Sequence, residues 1–341
     1  MFRSFSFTRC KKKEVQDENL GATIESIIDD YSQIDPSFKT QMCYVKLTAG
    51  FIRKELVINK GYSLTDFTER TINNILNRLG YTLKKVLKIK PLKKIPETDA
   101  IFTNVRQKHQ LANNNKRILR ISCDVKAKVK IGNLSKQGYS RMQNAPIADD
   151  HDQHWEAVLN PFGIYELNNA EDLNELFIIF GNSKETSDFI VDALELWWSK
   201  RNYNSSDYDL LMIDLDNGKS VASNTKLFMK RIVEFAQNIG IPIQLVYYPP
   251  YHSKYNSIER VWAALEKYWN SFVLSSVQYT LKIAQQMTYK GLNPTVLFID
   301  KVYQTGKTIP DNVVKELNEF IERNPRIPKW DVKISHSLNY E

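Results

Sequence analysis

Cysteine is scarce in this chain: Cys10, Cys43 and Cys123 are its only three among 341 residues, widely separated and without a Cys-x-x-Cys pair. An odd, scattered set builds neither a disulfide framework nor a zinc module, so the thiols are expected to be reduced. Long apolar runs are missing as well. No stretch approaches the roughly 18 residues of a membrane span, and residues 1–13 carry aromatic and basic side chains without the unbroken apolar segment of a signal peptide. The expectation is a soluble, cytoplasmic protein without a membrane partner. Internal repeats are absent, and low-complexity sequence is confined to Lys11-Lys12-Lys13 and Asn113-Asn114-Asn115.

What is present is enough apolar material, 42% of 341 residues, to bury a full core, at a length that suggests two domains. The net charge of +8 is unevenly spread: the first 120 residues hold 23 Lys and Arg against 12 Asp and Glu, a net of +11, leaving −3 for the rest. A polyanion such as DNA would neutralise that basic third and release its counterions. A solvated basic face carries the same charge, so charge alone does not choose between them.

Residues 47–57 read as a helix, Asn59-Lys60-Gly61 as a break, and residues 68–79 as a second helix ended by Gly80. In the second, Ile72, Ile75, Leu76 and Leu79 form one apolar stripe, while Arg70, Asn73, Asn74, Asn77 and Arg78 form the polar face. Arg pairs with guanine and Asn with adenine on major-groove edges, so the pattern suits a helix-turn-helix, although an ordinary amphipathic helix would look alike. Lys84, Lys85, Lys88, Lys90, Lys93 and Lys94 then crowd around apolar residues before Pro96, as in a phosphate-gripping wing or arm. Residues 97–115 read as a connecting helix. This divides the chain into a basic DNA-binding region, 1–115, and a second domain, 116–341.

From residue 116 strands alternate with helices. Residues 118–129 read as a strand, 155–159 and 163–167 as a hairpin around Asn160-Pro161-Phe162, and 176–180 as a short buried strand. A helix at 187–200, a strand at 210–213, a helix at 226–239, a strand at 243–247 and a helix at 257–270 follow. That order predicts an α/β fold, a ribonuclease-H-like mixed sheet flanked by helices, behind an α-helical helix-turn-helix or winged-helix region.

Three carboxylates occupy telling places: Asp124 within the first strand, Asp216 just past the 210–213 strand, and Glu259 in the first turn of the last helix, 92 and 43 residues apart. Chain order permits them to converge on one sheet edge, within reach of one or two hydrated cations. Hard divalent cations take oxygen ligands, and two of them stabilise the attacking and leaving oxygens of an in-line phosphoryl displacement. Each acid also has a plainer reading: Asp124 pairing with Lys126, Asp216 opening the Asn217-Gly218 turn, Glu259 complementing a helix N-terminus. Asp214 is the rival for the second position. Asn256 or Ser257 is expected to cap the last helix, with Trp262 and Leu265 facing the core. Lys126, Lys219 and Lys254 lie near the acids in sequence and are candidates for phosphate contact or plain solvation. His151 and His154 lack a nearby third ligand and read as surface residues.

The stretch Pro249-Pro250-Tyr251-His252-Ser253-Lys254-Tyr255-Asn256-Ser257-Ile258-Glu259-Arg260-Val261-Trp262 resembles the last catalytic motif of insertion-sequence and mariner-like DDE transposases. Ile121-Ser122-Cys123-Asp124-Val125-Lys126, with Pro161-Phe162-Gly163-Ile164-Tyr165 and Trp197-Trp198, more narrowly resembles the Rhodopirellula-type transposase family. Asn217-Gly218-Lys219-Ser220-Val221 stands where that family tends to have Gly-Gly-Ser-Asn-Gly, and Arg260 where a histidine is usual. The resemblance covers most of residues 116–334 and implies that Asp124, Asp216 and Glu259 bind Mg2+ or Mn2+ as two ions. It further implies cleavage at transposon ends and strand transfer into target DNA, with double-stranded DNA as partner and a homo-oligomer on it. An idle DNA-binding derivative or repressor, and a nuclease that cuts without joining, are the alternatives.

Overall fold

The computed structural model describes residues 12–31, 33–34, 43–44, 47–83, 95–139, 141–149, 154–167, 174–201 and 207–337. Two compact units divide the chain, Met1–Lys90 and Pro91–Glu341.

In the first unit, helices α1 (Lys13–Gln16), α2 (Leu20–Asp30), α3 (Ala49–Asn59) and α4 (Glu69–Arg78) accompany a two-stranded antiparallel ladder of β1 (Gln33–Ile34) and β2 (Cys43–Tyr44). Two threonines start α3 and α4: Thr48 accepts a hydrogen bond from the Phe51 N–H and Thr68 one from the Thr71 N–H. Their apolar stripes close on one another, burying Leu20, Ile24, Ile52, Leu56, Ile72 and Ile75. The link between α3 and α4, residues 60–68, is longer than the three or four residues typical of a helix-turn-helix. Lys84, Lys85, Lys88 and the other lysines of the expected wing lie outside the described residues.

The second unit opens with α5 (Thr98–Asn114), whose Ile101, Val105 and Ala112 join the large core. After it come β3 (Ile118–Val125), β4 (Val129–Ile131), β5 (Ala157–Glu166), β6 (Leu176–Gly181), α6 (Ser187–Lys200), β7 (Leu210–Leu215), α7 (Lys226–Ile239) and β8 (Ile243–Tyr247). A short 3-10 turn then leads to α8 (Ile258–Trp269), α9 (Val277–Gln286), β9 (Thr295–Ile299), α10 (Asp311–Asn318), β10 (Ile321–Arg323) and β11 (Asp331–Ile334). The strands form one mixed sheet in the order β10-β11-β8-β7-β3-β5-β6-β9, with β4 paired to β5. Its centre is ribonuclease-H-like: β5 runs antiparallel to β3 and β6, while β7 and β8 join in parallel beside β3. The parallel steps need crossovers, which α6 and α7 supply. These two helices cover one face of the sheet, and α5, α8 and α9 the other.

The expected hairpin around Pro161 is instead one continuous strand, β5. A residue's N–H and C=O point the same way across a strand, and the Pro161 carbonyl accepts from the Lys126 N–H. The missing proline N–H therefore faces the break between β3 and β4, where no ladder partner requires it. None of the described helices is long and apolar enough to cross a membrane.

Candidate active site

Side chains alternate along β3, so Arg120, Ser122 and Asp124 stand on the face that α5 and α8 cover. Each meets a different partner. Asp124, near the strand end, lies beside the end of β7, where Leu215 is the last strand residue and Asp216 follows. Asp124 and Asp216 line a single cavity of about 380 Å3, together with Phe162, Asn217, Pro250 and Tyr251. Glu259 sits in the first turn of α8, close enough for its charge to act on both aspartates.

Burial pushes the Asp124 carboxyl up to about 7, with the charges of Asp216 and Glu259 adding to the rise and the Trp262 hydrogen bond opposing it. Burial and the Glu259 charge raise Asp216 to about 6, opposed by Asn256. For both aspartates burial and neighbouring acids oppose ionisation, a penalty that a bound cation would offset. Asp214, one pleat deeper, is differently placed. It is fully buried, and although burial alone would raise its carboxyl, the Arg120 charge and a hydrogen bond with His109 hold it below the ordinary range. Arg120 Nη2 lies 2.7 Å from Asp214 Oδ2, and His109 Nε2 lies 3.1 Å from Oδ1.

The start of α8 is fastened to this edge from below. The Ser122 hydroxyl donates to Asn256 Oδ1 at 2.5 Å and accepts from the Ile258 N–H at 2.9 Å. Asn256 Nδ2 donates to the Cys123 carbonyl at 2.9 Å and approaches Asp216 Oδ1 at 3.5 Å. Neither Asn256 nor Ser257 caps α8 through its side chain, contrary to the sequence expectation. Ser122 from the neighbouring strand takes that N–H, which frees Asn256 to bridge strands. One turn into α8, the Trp262 indole N–H donates to Asp124 Oδ2 at 3.0 Å. Trp262 and Leu265 are buried as expected, but Trp262 also carries this polar contact. Ser122 had a sequence signal, its place two residues before Asp124 on the same strand face; the indole contact had none.

The other candidates are dispersed. Lys126 forms an ion pair with Glu266 and lies over the Trp269 ring, while Lys254 is exposed near the Tyr255 ring. On α4, Arg70, Asn73, Asn74, Asn77 and Arg78 are all exposed, and Arg78 pairs with Glu14 at 2.5 Å. His154 is exposed and His151 lies outside the described residues.

Three carboxylates offer the hard oxygen donors that Mg2+ and Mn2+ prefer, and the raised aspartates show a surplus of negative charge for a cation to offset. Mg2+ is commonly held by one or two carboxylates with water and phosphate completing its shell, which two aspartates on one cavity can provide. Among the described residues no three His, Cys, Asp or Glu side chains are drawn together as a ready metal-binding cluster.

The strand order and helix placement put the second unit in the class of ribonuclease-H-like α/β domains. Within that class the chain belongs to the family described as Rhodopirellula transposase DDE domain, whose model matches residues 23–336. No curated protein matches the chain. Among solved structures, the Mos1 transposase paired-end complex with left transposon end is similar at a TM-score of 0.40 and 10% identity, over 82% of this chain and 72% of that one. The Mos1 mariner paired end complex with Mn gives 0.40 and 9%, over 76% and 68%. The Mos1 strand transfer complex gives 0.38 and 8%, over 82% and 72%.

Proposed function

We propose that this transposase-family chain cuts DNA at transposon ends and joins the freed end to target DNA, with Asp124, Asp216 and Glu259 as its metal-holding acids. The observation that carries the reading is the shared cavity of Asp124 and Asp216, on adjacent strand ends, with both carboxyls raised by burial and by neighbouring acids. Asp214 is a poorer second acid because Arg120 and His109 already neutralise it.

Asp124 and Asp216, joined by Glu259, would hold one or two Mg2+ or Mn2+ ions. A divalent cation in such a site polarises the phosphoryl group and lowers the pKa of a bound water. The chain's own contribution is to fix the carboxylates on rigid strand ends and a helix start, so that little reorganisation remains when phosphate arrives. In the cut, a water oxygen forms a bond to phosphorus as the bond to the 3′ oxygen breaks, and that oxygen leaves as a hydroxyl. In joining, the 3′ hydroxyl attacks a target phosphate and displaces the adjoining 3′ oxygen, with no covalent enzyme intermediate. The exposed Arg70, Asn73, Asn74 and Asn77 face of α4, with Arg78, Lys84, Lys85, Lys88, Lys126 and Lys254 as phosphate contacts, would bind double-stranded DNA. Two DNA ends held together would call for a homo-oligomer.

A labelled transposon end incubated with the full chain and Mg2+ or Mn2+ tests the proposal. Cleavage followed by joined products is expected. Binding without cutting would point to a repressor-like derivative, and cutting without joining to a plain nuclease, and either result would overturn the reading.

A further inference from the structure

The segment from Asn256 to Trp262 does more than carry Glu259. Asn256 ends the 3-10 turn just before α8, while Glu259 and Trp262 lie three apart on α8 and share a face. At one end Asn256 Nδ2 reaches Asp216 Oδ1 at 3.5 Å; at the other Trp262 Nε1 donates to Asp124 Oδ2 at 3.0 Å. Each aspartate is therefore met by one neutral donor, Asn256 from the segment just before α8 and Trp262 from α8 itself, with Glu259 between the two donors in sequence. A carboxylate has about four acceptor positions, so one fixed hydrogen bond orients its plane and leaves capacity for other ligands.

Both donors are held firmly. Asn256 is fully buried and tied to Ser122 and to the Cys123 carbonyl, which locks its amide orientation. Trp262 is 5% exposed and lies over Gly163, the β5 residue directly opposite Asp124 in the ladder. A Cβ at Gly163 would fall 2.6 Å from the indole ring, so only glycine lets the ring come close enough to reach Asp124.

We propose that Trp262 and Asn256 are positioning residues that hold Asp124 and Asp216 in the orientation in which they take up a divalent cation. Gly163 provides the seat for the Trp262 ring. The inference rests on the reading of Asp124, Asp216 and Glu259 as metal-holding acids, and goes beyond it by assigning how two of them are oriented. Neither residue touches substrate. Their loss should act on metal uptake rather than on DNA affinity.

The test is Mn2+ binding to the full chain by titration calorimetry without DNA, alongside thermal unfolding of the metal-free protein. Trp262→Phe keeps the ring packing and removes the N–H; Asn256→Ala removes the other donor; Asp124→Asn is the reference. The expected result is that Asp124→Asn loses Mn2+ binding, while Trp262→Phe and Asn256→Ala weaken it about 10- to 100-fold, the range for groups supporting metal ligands. Trp262→Phe should unfold within a few degrees of the parent and bind DNA as the parent does. If Asn256→Ala does not fold, Trp262→Phe decides alone. A folded Trp262→Phe protein with parental Mn2+ affinity, beside an Asp124→Asn protein that has lost it, overturns the positioning role and leaves the acids in place. A lowered unfolding temperature with unchanged Mn2+ affinity also overturns it. Parental Mn2+ affinity in Asp124→Asn removes the underlying reading itself.

Discussion

Asp124 and Asp216 are costly residues to ionise, because their negative charges sit in a partly buried cavity where water screens them poorly. Two predictions follow from that cost. The first concerns chemistry: Asp124→Asn, Asp216→Asn and Glu259→Gln should each abolish cleavage and joining while leaving DNA binding nearly intact. An amide keeps the shape and removes the charge that a cation needs. Full activity of any one variant on cut and uncut ends in Mg2+ would exclude that acid. The second concerns stability. The folded-state pKa of Asp124 is raised to about 7 from an ordinary 3.8, so the folded chain holds this proton more tightly than the unfolded chain. The resulting stabilisation is fully present below about pH 4 and is lost as pH rises through about 7. Metal-free Asp124→Asn should therefore be more stable than the parent at pH 8, by roughly 1 to 4 kcal/mol, with the gap closing toward pH 4. Urea unfolding at both pH values measures it, and a gap that is absent at pH 8 would show that the Asp124 charge is compensated in the fold. Mn2+ added at pH 8 should narrow the gap by stabilising the parent.

Among the elements, α8 shows most clearly what the sequence reveals and what it hides. Helical periodicity placed the helix and its buried face, with Trp262 and Leu265, because an apolar stripe follows directly from side-chain spacing. The same holds for α6 and α7, whose spans coincide with the expected 187–200 and 226–239. What periodicity could not provide were contacts between residues more than 90 positions apart: Ser122 with Asn256, Asp124 with Trp262, Asp214 with Arg120 in the ladder beneath. Local rules even misled at Pro161, where a turn-like tripeptide lies inside β5 because its missing N–H meets a gap between two partner strands. The place of Asp216 beyond β7 was legible because it directly precedes Asn217-Gly218, a turn signal at the strand's end. The commitment of Asp214 to Arg120 and His109 was not, since it depends on α5. A third prediction belongs to this scale. Gly163→Ala should displace the Trp262 ring from its seat, destabilise the chain by about 1 to 3 kcal/mol and weaken Mn2+ binding along with Trp262→Phe. Thermal unfolding and Mn2+ titration check it; parental values in both would mean that the ring accommodates the methyl group without leaving Asp124.

Across the whole chain, charge and chemistry are divided. The proposed acids all lie in the second unit, whereas the first unit, residues 1–90, holds 16 Lys and Arg against 10 Asp and Glu, a net of +6, compared with +2 for the much longer remainder. The first unit closes a core of its own, with Leu20, Ile24, Ile52, Leu56, Ile72 and Ile75 fully or almost fully buried, so it can be tested as a separate piece. The stripe that fills this core leaves the opposite face of α4, with Arg70, Asn73, Asn74 and Asn77, in solvent. The fourth prediction is that residues 1–90 bind duplex DNA with strong salt dependence, each neutralised phosphate adding roughly 0.9 to the log–log slope. Replacing Asn73, Asn74 and Asn77 with alanine should reduce the preference for transposon-end sequence more than total affinity, since amides read base edges while cations grip phosphates. Arg70→Ala should instead lower affinity on every sequence and reduce the slope by about 1 if it meets a phosphate. Fluorescence anisotropy from low to moderate salt, on an end sequence and a scrambled duplex, separates these effects. A folded fragment whose binding is insensitive to salt would place DNA recognition outside the first unit.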